Sequence, residues 1–141
     1  MPDSILDGLV EGFLDALAER EKVAPRWCAV AYSSWSGANG CAWNYRRQRD
    51  AKKAALRFCR APQAQILVSG ADITIAVARG PHNAIAYQCA HLSMLTQACQ
   101  DAIQRCQACF SVGASEREQV WLSLVLDARQ GIMYQQSEPI V

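Results

Sequence analysis

Cysteines and a histidine in the second half of the chain are spaced like metal ligands. Cys106-Gln-Ala-Cys109 has the two-residue gap of a zinc knuckle, and Cys89-Ala-His91 offers two further ligand types. The sequence holds no second Cys-x-x-Cys pair and none of the His-x-Glu and Pro-Cys-x-x-Cys motifs of zinc deaminases. We therefore expect buried thiols that act as small apolar side chains, with metal binding at these four residues as the open alternative.

Catalysis by a thiol or a hydroxyl needs a base beside the nucleophile, and the sequence supplies few bases. The two histidines are His82, in a Gly-Pro-His-Asn turn, and His91, at the start of a predicted helix. Ser33-Ser-Trp-Ser-Gly37 lacks the leading glycine of the Gly-x-Ser-x-Gly elbow, and a strand follows it where the elbow needs a helix. The sequence therefore predicts no catalytic residue, no metal and no cofactor.

The length, net charge and cysteine count of the chain argue against several classes of protein. A length of 141 residues predicts a single domain over residues 1–141, and a net charge of +1 argues against a dedicated nucleic-acid binder. No apolar run approaches a membrane span, and residues 1–8 lack the basic and apolar regions of a Sec signal peptide. Seven cysteines, an odd number, exclude a complete set of internal disulfides. We therefore expect a cytoplasmic protein with reduced thiols and no membrane or nucleic-acid partner.

Positive charge is concentrated in one short stretch. Seven of the 14 basic residues lie within residues 46–60, and most of them fall on one face of a predicted helix. A solvated helix face is the simpler interpretation. The functional alternative is docking on an acidic protein surface, because arginine pairs with carboxylates in a bidentate manner. A turn tryptophan flanked by serines and glycine adds an aromatic anchor, so the candidate partner-binding residues are Trp35, Arg46, Arg49, Lys53, Arg57 and Arg60.

These residues belong to a predicted ββαβ unit over residues 27–69. Trp27 and Trp43 would face each other across its hairpin, and Gly37 and Gly40 would supply positive φ in the turn. The unit comprises strand 27–32, turn 33–40, strand 41–45, helix 48–60 and strand 64–69.

A second copy of the unit is predicted over residues 73–113. Ala29-Val-Ala31 recurs as Ala76-Val-Ala78, and four single positions in the predicted helices recur at the same offset of 47 residues. The second copy comprises strand 73–79, turn 80–83, strand 84–89, helix 92–107 and strand 109–112, and a terminal β-hairpin follows over 119–136. The sequence thus predicts an α+β fold with two layers, antiparallel sheet and helices, in which something else covers the second sheet face.

Residues 4–22 are predicted to form an amphipathic helix ahead of the two units. Apolar residues recur at helical spacing, and acidic residues line the opposite side at intervals of four. We expect this helix to pack either within the fold or across a homodimer. Its apolar stripe includes Leu6, Val10, Phe13 and Leu17, and its acidic side consists of Asp7, Glu11, Asp15 and Glu19.

The first unit resembles a bacterial family of unknown function, the domain-of-unknown-function family 4189. The resemblance covers about residues 27–79 and rests on Cys28-Ala-Val-Ala-Tyr-Ser33, the glycine turn, Ala42-Trp43 and the alanine helix that ends in Cys59. It implies a fold rather than a chemistry. Members are typically small exported proteins with further cysteines after the helix, and residues 61–73 contain none. The chain therefore resembles a non-exported, reduced relative, or one exported by another route.

The function that these observations favour is a non-enzymatic module that docks on and neutralises another protein, in the manner of a bacterial immunity protein or an inhibitor. The expected partner is a protein with an acidic surface. Two alternatives stay open: an effector exported without a classical signal peptide, and a small zinc or thiol enzyme.

Overall fold

The computed structural model of the protein describes residues 24–138, and it begins with a three-stranded antiparallel sheet that carries one helix. Strand order in this first sheet is β2-β1-β3. Its elements are β1 (Trp27–Tyr32), β2 (Asn39–Tyr45), α1 (Gln48–Cys59) and β3 (Gln65–Ala71).

A second, four-stranded sheet carries the other helix. Strand order is β5-β4-β6-β7, and every paired neighbour is antiparallel. The predicted α+β class with antiparallel sheets and helices is confirmed. The elements are β4 (Thr74–Arg79), β5 (Ile85–Ala90), α2 (Leu95–Gln107), β6 (Trp121–Asp127) and β7 (Gly131–Gln135), with short 3-10 turns at Pro81–Asn83, Leu92–Met94 and Ser115–Gln119.

Each sheet packs a helix on one face and the other sheet on its second face. Alternate residues of β1 point in opposite directions, so Ala29 and Ala31 pack against α1 while Cys28 and Val30 enter the core between the sheets. β4 divides in the same way between α2 and the inter-sheet core. The fold thus stacks helix, sheet, sheet and helix rather than the two layers predicted, because the second face of each sheet is covered by the other sheet.

The two halves have their elements in corresponding places. β1 and β4 begin at residues 27 and 74, and α1 and α2 begin at 48 and 95, which is an offset of 47 in both cases. Small side chains at these positions let each helix approach its sheet closely. Descent of the halves from one duplicated unit stays a prediction. The buried matching pairs in the helices are Ala51 with Ala98, Ala55 with Ala102 and Cys59 with Cys106.

The predicted strand at residues 109–112 is wrong. After α2 the chain makes turns, in which the Cys109 and Phe110 amides donate to the Cys106 and Gln107 carbonyls. These local bonds leave no extended backbone for β4 to pair with. The third strand of the second half is instead β6, which forms the C-terminal hairpin with β7 and also pairs with β4.

Two details of the first hairpin also differ from expectation. Trp27 pairs with Tyr45 rather than with Trp43. The register of residues 29–32 would place Trp27 opposite Asn44, and an irregularity between residues 27 and 29 moves it one residue further. Trp43 instead lies against Gly131 of β7. Gly37 has the expected positive φ of +73°, whereas Gly40 is needed for close approach: a Cβ there would lie 2.3 Å from the Cys59 amide nitrogen.

A buried carboxylate holds the turn between β6 and β7. Asp127 is 2 % exposed, and its carboxylate accepts hydrogen bonds from the Thr74 hydroxyl at 2.8 Å and from the Arg129 and Gln130 amides at 3.0 Å. Side-chain capping of this kind is how Asp stabilises a tight turn. The predicted N-terminal helix, residues 4–22, and any homodimer through it lie outside the described residues.

Candidate functional site

The outward face of α1 carries the predicted basic residues. Ala51, Ala54, Ala55 and Cys59 turn inward against the sheet, which leaves the basic side chains on the other side of the helix. An ion pair of 3.8 Å joins Arg49 to Asp50, and no other residue of this face has a carboxylate within 4.0 Å among residues 24–138. The face is therefore a concentration of positive charge on a rigid element. Its exposed members are Arg49, Lys53, Arg57 and Arg60.

Trp35 lies in the β1–β2 turn and is 61 % exposed. This turn is bound to the C-terminal end of α1, because the Ser33 hydroxyl donates to the Pro62 carbonyl at 2.9 Å and the Cys59 thiol to the Ala38 carbonyl at 3.5 Å. Trp35 and the last turn of α1 thus share one end of the first sheet. The backbone that carries Trp35 is therefore anchored to the C-terminal end of α1.

The structure separates the predicted residues into two groups along α1. Arg57 and Arg60 lie at the end that carries the Trp35 turn, whereas Arg46 and Arg49 lie at the helix start. A helix of this length spans about 18 Å. The six residues therefore do not converge on one point, and they are distributed along α1 and the segments at its two ends.

An arginine–tyrosine pair supports the Trp35 turn from the second sheet. The Arg79 guanidinium lies 5.6 Å from the centre of the Tyr32 ring, and the Tyr32 hydroxyl donates to the Asn83 carbonyl. The Asn83 side-chain amide in turn donates to the Ser34 carbonyl at 3.2 Å. Burial raises the pKa of Tyr32, and the nearby Arg79 opposes that shift. These contacts connect the turn to both sheets.

Sequence reasoning missed an apolar groove at the side of the sandwich, which we call the side groove. It has a volume of about 320 Å³ and lies where the free edge of β2 approaches the free edge of β7. Trp43, Phe58 and Ile132 line it and are 38 %, 52 % and 39 % exposed. No local pattern could have indicated this groove, because its walls come from segments far apart in the chain. The remaining lining residues are Asn39, Gly40, Cys41 and Gln135.

A second groove of about 660 Å³ lies on the helix-bearing side of the second sheet. α2 packs against β4 and β5, so part of β6 and β7 stays uncovered there. Trp121 and Tyr134 contribute aromatic walls, and the Trp121 indole donates to the Gln136 carbonyl at 3.1 Å. Glu118 is its one carboxylate, and the groove contains no pair of groups suited to acid–base chemistry.

The four suspected zinc ligands are not brought together. Cys106 is buried between α2 and its sheet, whereas Cys89 packs at the opposite face of that sheet. Cys109 is exposed, and the His91 ring bonds to Ser93. Among residues 24–138, no group of three His, Cys, Asp or Glu side chains could hold a metal ion.

Burial suppresses the reactivity of most of the thiols. It raises the pKa of Cys28 from 9.0 to about 12 and that of Cys106 to about 11, with smaller contributions from neighbouring thiols. Burial also raises the pKa of Cys41, Cys89 and Cys99. Because the thiolate is the nucleophile, these five cysteines are poor candidates for catalysis at neutral pH.

We expect the raised Cys28 pKa to make stability fall at alkaline pH. The unfolded chain loses the Cys28 proton near pH 9, whereas the folded chain keeps it to about pH 12. The stabilisation is therefore complete below pH 9 and is lost as the pH rises toward 12. Between pH 9.5 and 11, urea unfolding of the wild type should show a free energy that falls by about 1 kcal/mol per pH unit more steeply than that of Cys28→Ala. Equal slopes would contradict this assignment.

Comparison with protein-family models identifies the family of the chain. The model described as "Domain of unknown function (DUF4189)" matches residues 27–120, which extends beyond the first unit into the second. Searches of curated proteins and of solved structures find no match. Neither helix in residues 24–138 has both the length and the apolar character needed to cross a bilayer.

Proposed function

The chain belongs to the DUF4189 family, and since this family carries no assigned activity, we propose from the surface of the molecule that it is a non-enzymatic binding module. It docks on a partner protein and neutralises it, as an immunity protein or an inhibitor does. One observation carries this proposal: an exposed tryptophan lies in a turn that is bound to the C-terminal end of a helix with an exposed basic face. Aromatic anchors and arginines are the residues that most often dominate binding energy in protein interfaces.

The chemistry of the face indicates an acidic partner. Lys53, Arg57 and Arg60 lack carboxylate partners within residues 24–138, so their charges are available to an approaching surface. Charge complementarity of this type accelerates association and selects the partner. Trp35, at the end of the face, would fill an apolar pocket on the partner.

We further propose that the protein is cytoplasmic, a reducing compartment in which its seven cysteines would stay free thiols. The raised pKa values of five of them, all caused mainly by burial, disfavour the thiol-enzyme alternative.

Capture of the partner from the native host tests the proposal. Immobilised wild-type protein should retain a specific protein with an acidic surface, and Trp35→Ala and Arg57→Glu should each reduce the retained amount by about tenfold or more, which is the loss of at least 1.4 kcal/mol expected at an interface anchor. Mass spectrometry of the retained fraction measures the amounts.

Arg105→Glu is the matched control, because Arg105 is also an exposed arginine in the last turn of a helix, but on α2. It should retain the partner at the wild-type level. Equal retention by all four proteins would reject the basic face and Trp35 as the docking surface.

A further inference from the structure

The groove on the helix-bearing side of the second sheet, which we call the aromatic groove, has the size of a small-molecule site. Its volume of about 660 Å³ lies within the range of pockets that enclose a ligand. Its walls come from the end of β4, from residues 118–122 and from residues 134 and 136. Pairing of β4 with β6 and of β6 with β7 holds these segments together. The groove is therefore built into the sheet.

The two aromatic walls of this groove offer ring surface rather than hydrogen-bonding atoms to a ligand. The Trp121 indole N–H donates to the Gln136 carbonyl at 3.1 Å, and the Tyr134 hydroxyl donates to the Gln136 side-chain oxygen. Both polar atoms thus have partners within the fold. The faces of tryptophan and tyrosine rings carry negative electrostatic potential and attract cations.

The charge of the groove has the same sign preference. Glu118 is the one charged residue that lines it, and no cationic side chain lies within 4.0 Å of its carboxylate among residues 24–138. The neighbouring Arg117 uses its Nε to donate to the Phe110 carbonyl at 3.1 Å and does not line the groove. A cationic ligand would find a counter-charge here, whereas an anionic one would find none.

We propose that the aromatic groove binds a small organic cation, an amine or quaternary ammonium compound with an apolar body. The cationic group would lie against Trp121 and Tyr134 with Glu118 as its counter-charge, and the apolar body would lie on Val120 and Leu122. Those two side chains also pack against the cluster under α2, so this part of the wall belongs to the core.

This site is separate from the proposed partner-binding surface. None of its lining residues belongs to α1 or to the β1–β2 turn. The two proposals can therefore fail independently, and the probes below do not require the protein partner.

Titration with choline, followed by nuclear magnetic resonance of the full-length protein, tests the proposal. The Trp121 indole N–H resonance, assigned by its loss in Trp121→Phe, should shift with a dissociation constant of about 1 mM or lower. The probe for comparison is 3,3-dimethylbutan-1-ol, in which carbon replaces the charged nitrogen of choline. It should bind about tenfold more weakly, because it keeps the shape and lacks the charge.

Two variants connect the binding to the groove. Glu118→Gln and Tyr134→Leu should each weaken choline binding about threefold or more. Glu116→Gln is the matched control, because Glu116 lies in the same 3-10 turn but does not line the groove, and it should bind choline like the wild type. Glu118→Gln keeps the test valid if Tyr134→Leu disturbs folding.

Three results would overturn the proposal. The first is a Trp121 resonance that does not move up to about 20 mM choline, which corresponds to no useful affinity. The second is equal binding of choline and its uncharged analogue, which would show an apolar groove without preference for a cation. The third is choline binding that Glu118→Gln leaves unchanged or that Glu116→Gln weakens equally. Binding that needs the charge of the probe and the Glu118 carboxylate supports the proposal.

Discussion

Replacing Asp127 by alanine should lower the free energy of unfolding by about 4 kcal/mol, since it leaves three donors without their buried acceptor. The carboxylate accepts from the Thr74 hydroxyl on β4 and from two amides of the β6–β7 turn. It therefore connects the C-terminal hairpin to the centre of the second sheet. Urea unfolding followed by circular dichroism measures the change.

Two other substitutions serve as comparisons for Asp127→Ala. Asp127→Asn keeps one oxygen acceptor and should recover about half of the loss. Asp101→Ala removes an aspartate whose carboxylate, within residues 24–138, accepts only from Gln97 on the surface of α2, and it should cost less than about 0.5 kcal/mol. A similar loss from Asp127→Ala and Asp101→Ala would show that the buried network contributes little.

Gly40→Ala should destabilise the protein by about 3 kcal/mol, because β2 and α1 meet there backbone to backbone. The new Cβ would lie 2.3 Å from the Cys59 amide nitrogen and 2.5 Å from the Ala55 carbonyl oxygen. Backbone atoms inside a helix cannot move aside without displacing the helix from the sheet. Thermal and urea unfolding both report the loss.

Gly80→Ala is the control for this effect. Its Cβ would meet the Val120 side chain at 3.1 Å and the Phe110 ring at 3.3 Å, and side chains can shift by a few tenths of an ångström. We expect a cost below about 1 kcal/mol. An equal loss of unfolding free energy in Gly40→Ala and Gly80→Ala would contradict the close packing of α1 on β2.

The elements with strong local signals were predictable from the sequence. The turn residues 33–40 between two β-prone runs indicate the first hairpin, and the alanine spacing indicates α1 and α2. The pairing of β6 with β4 was not predictable, because strand partners distant in the chain leave no local pattern. Residues 109–112 look β-prone in isolation, but hydrogen bonds to the end of α2 hold them in turns.

The surface was predictable in part. Exposure of Trp35 follows from its turn, and the basic side of α1 follows from helical periodicity. The side groove depends on how the two sheets stack. This stacking places Ile132 next to Trp43, although the two residues are far apart in the sequence. Successive strand residues face opposite sides of a sheet. Cys89 therefore packs against the inter-sheet core, whereas Cys106 lies on the α2 side of the same sheet.

The proposed docking through the basic face of α1 is tested most directly by the rate at which the protein associates with its captured partner at different salt concentrations. For the wild type, the account predicts an association rate constant that falls about tenfold or more between 0.05 and 0.5 M salt, as electrostatic attraction is screened. For the double variant Lys53→Glu and Arg57→Glu, it predicts a low rate that does not fall with added salt. A wild-type rate that is independent of salt, or one that the double variant reproduces, would contradict the account.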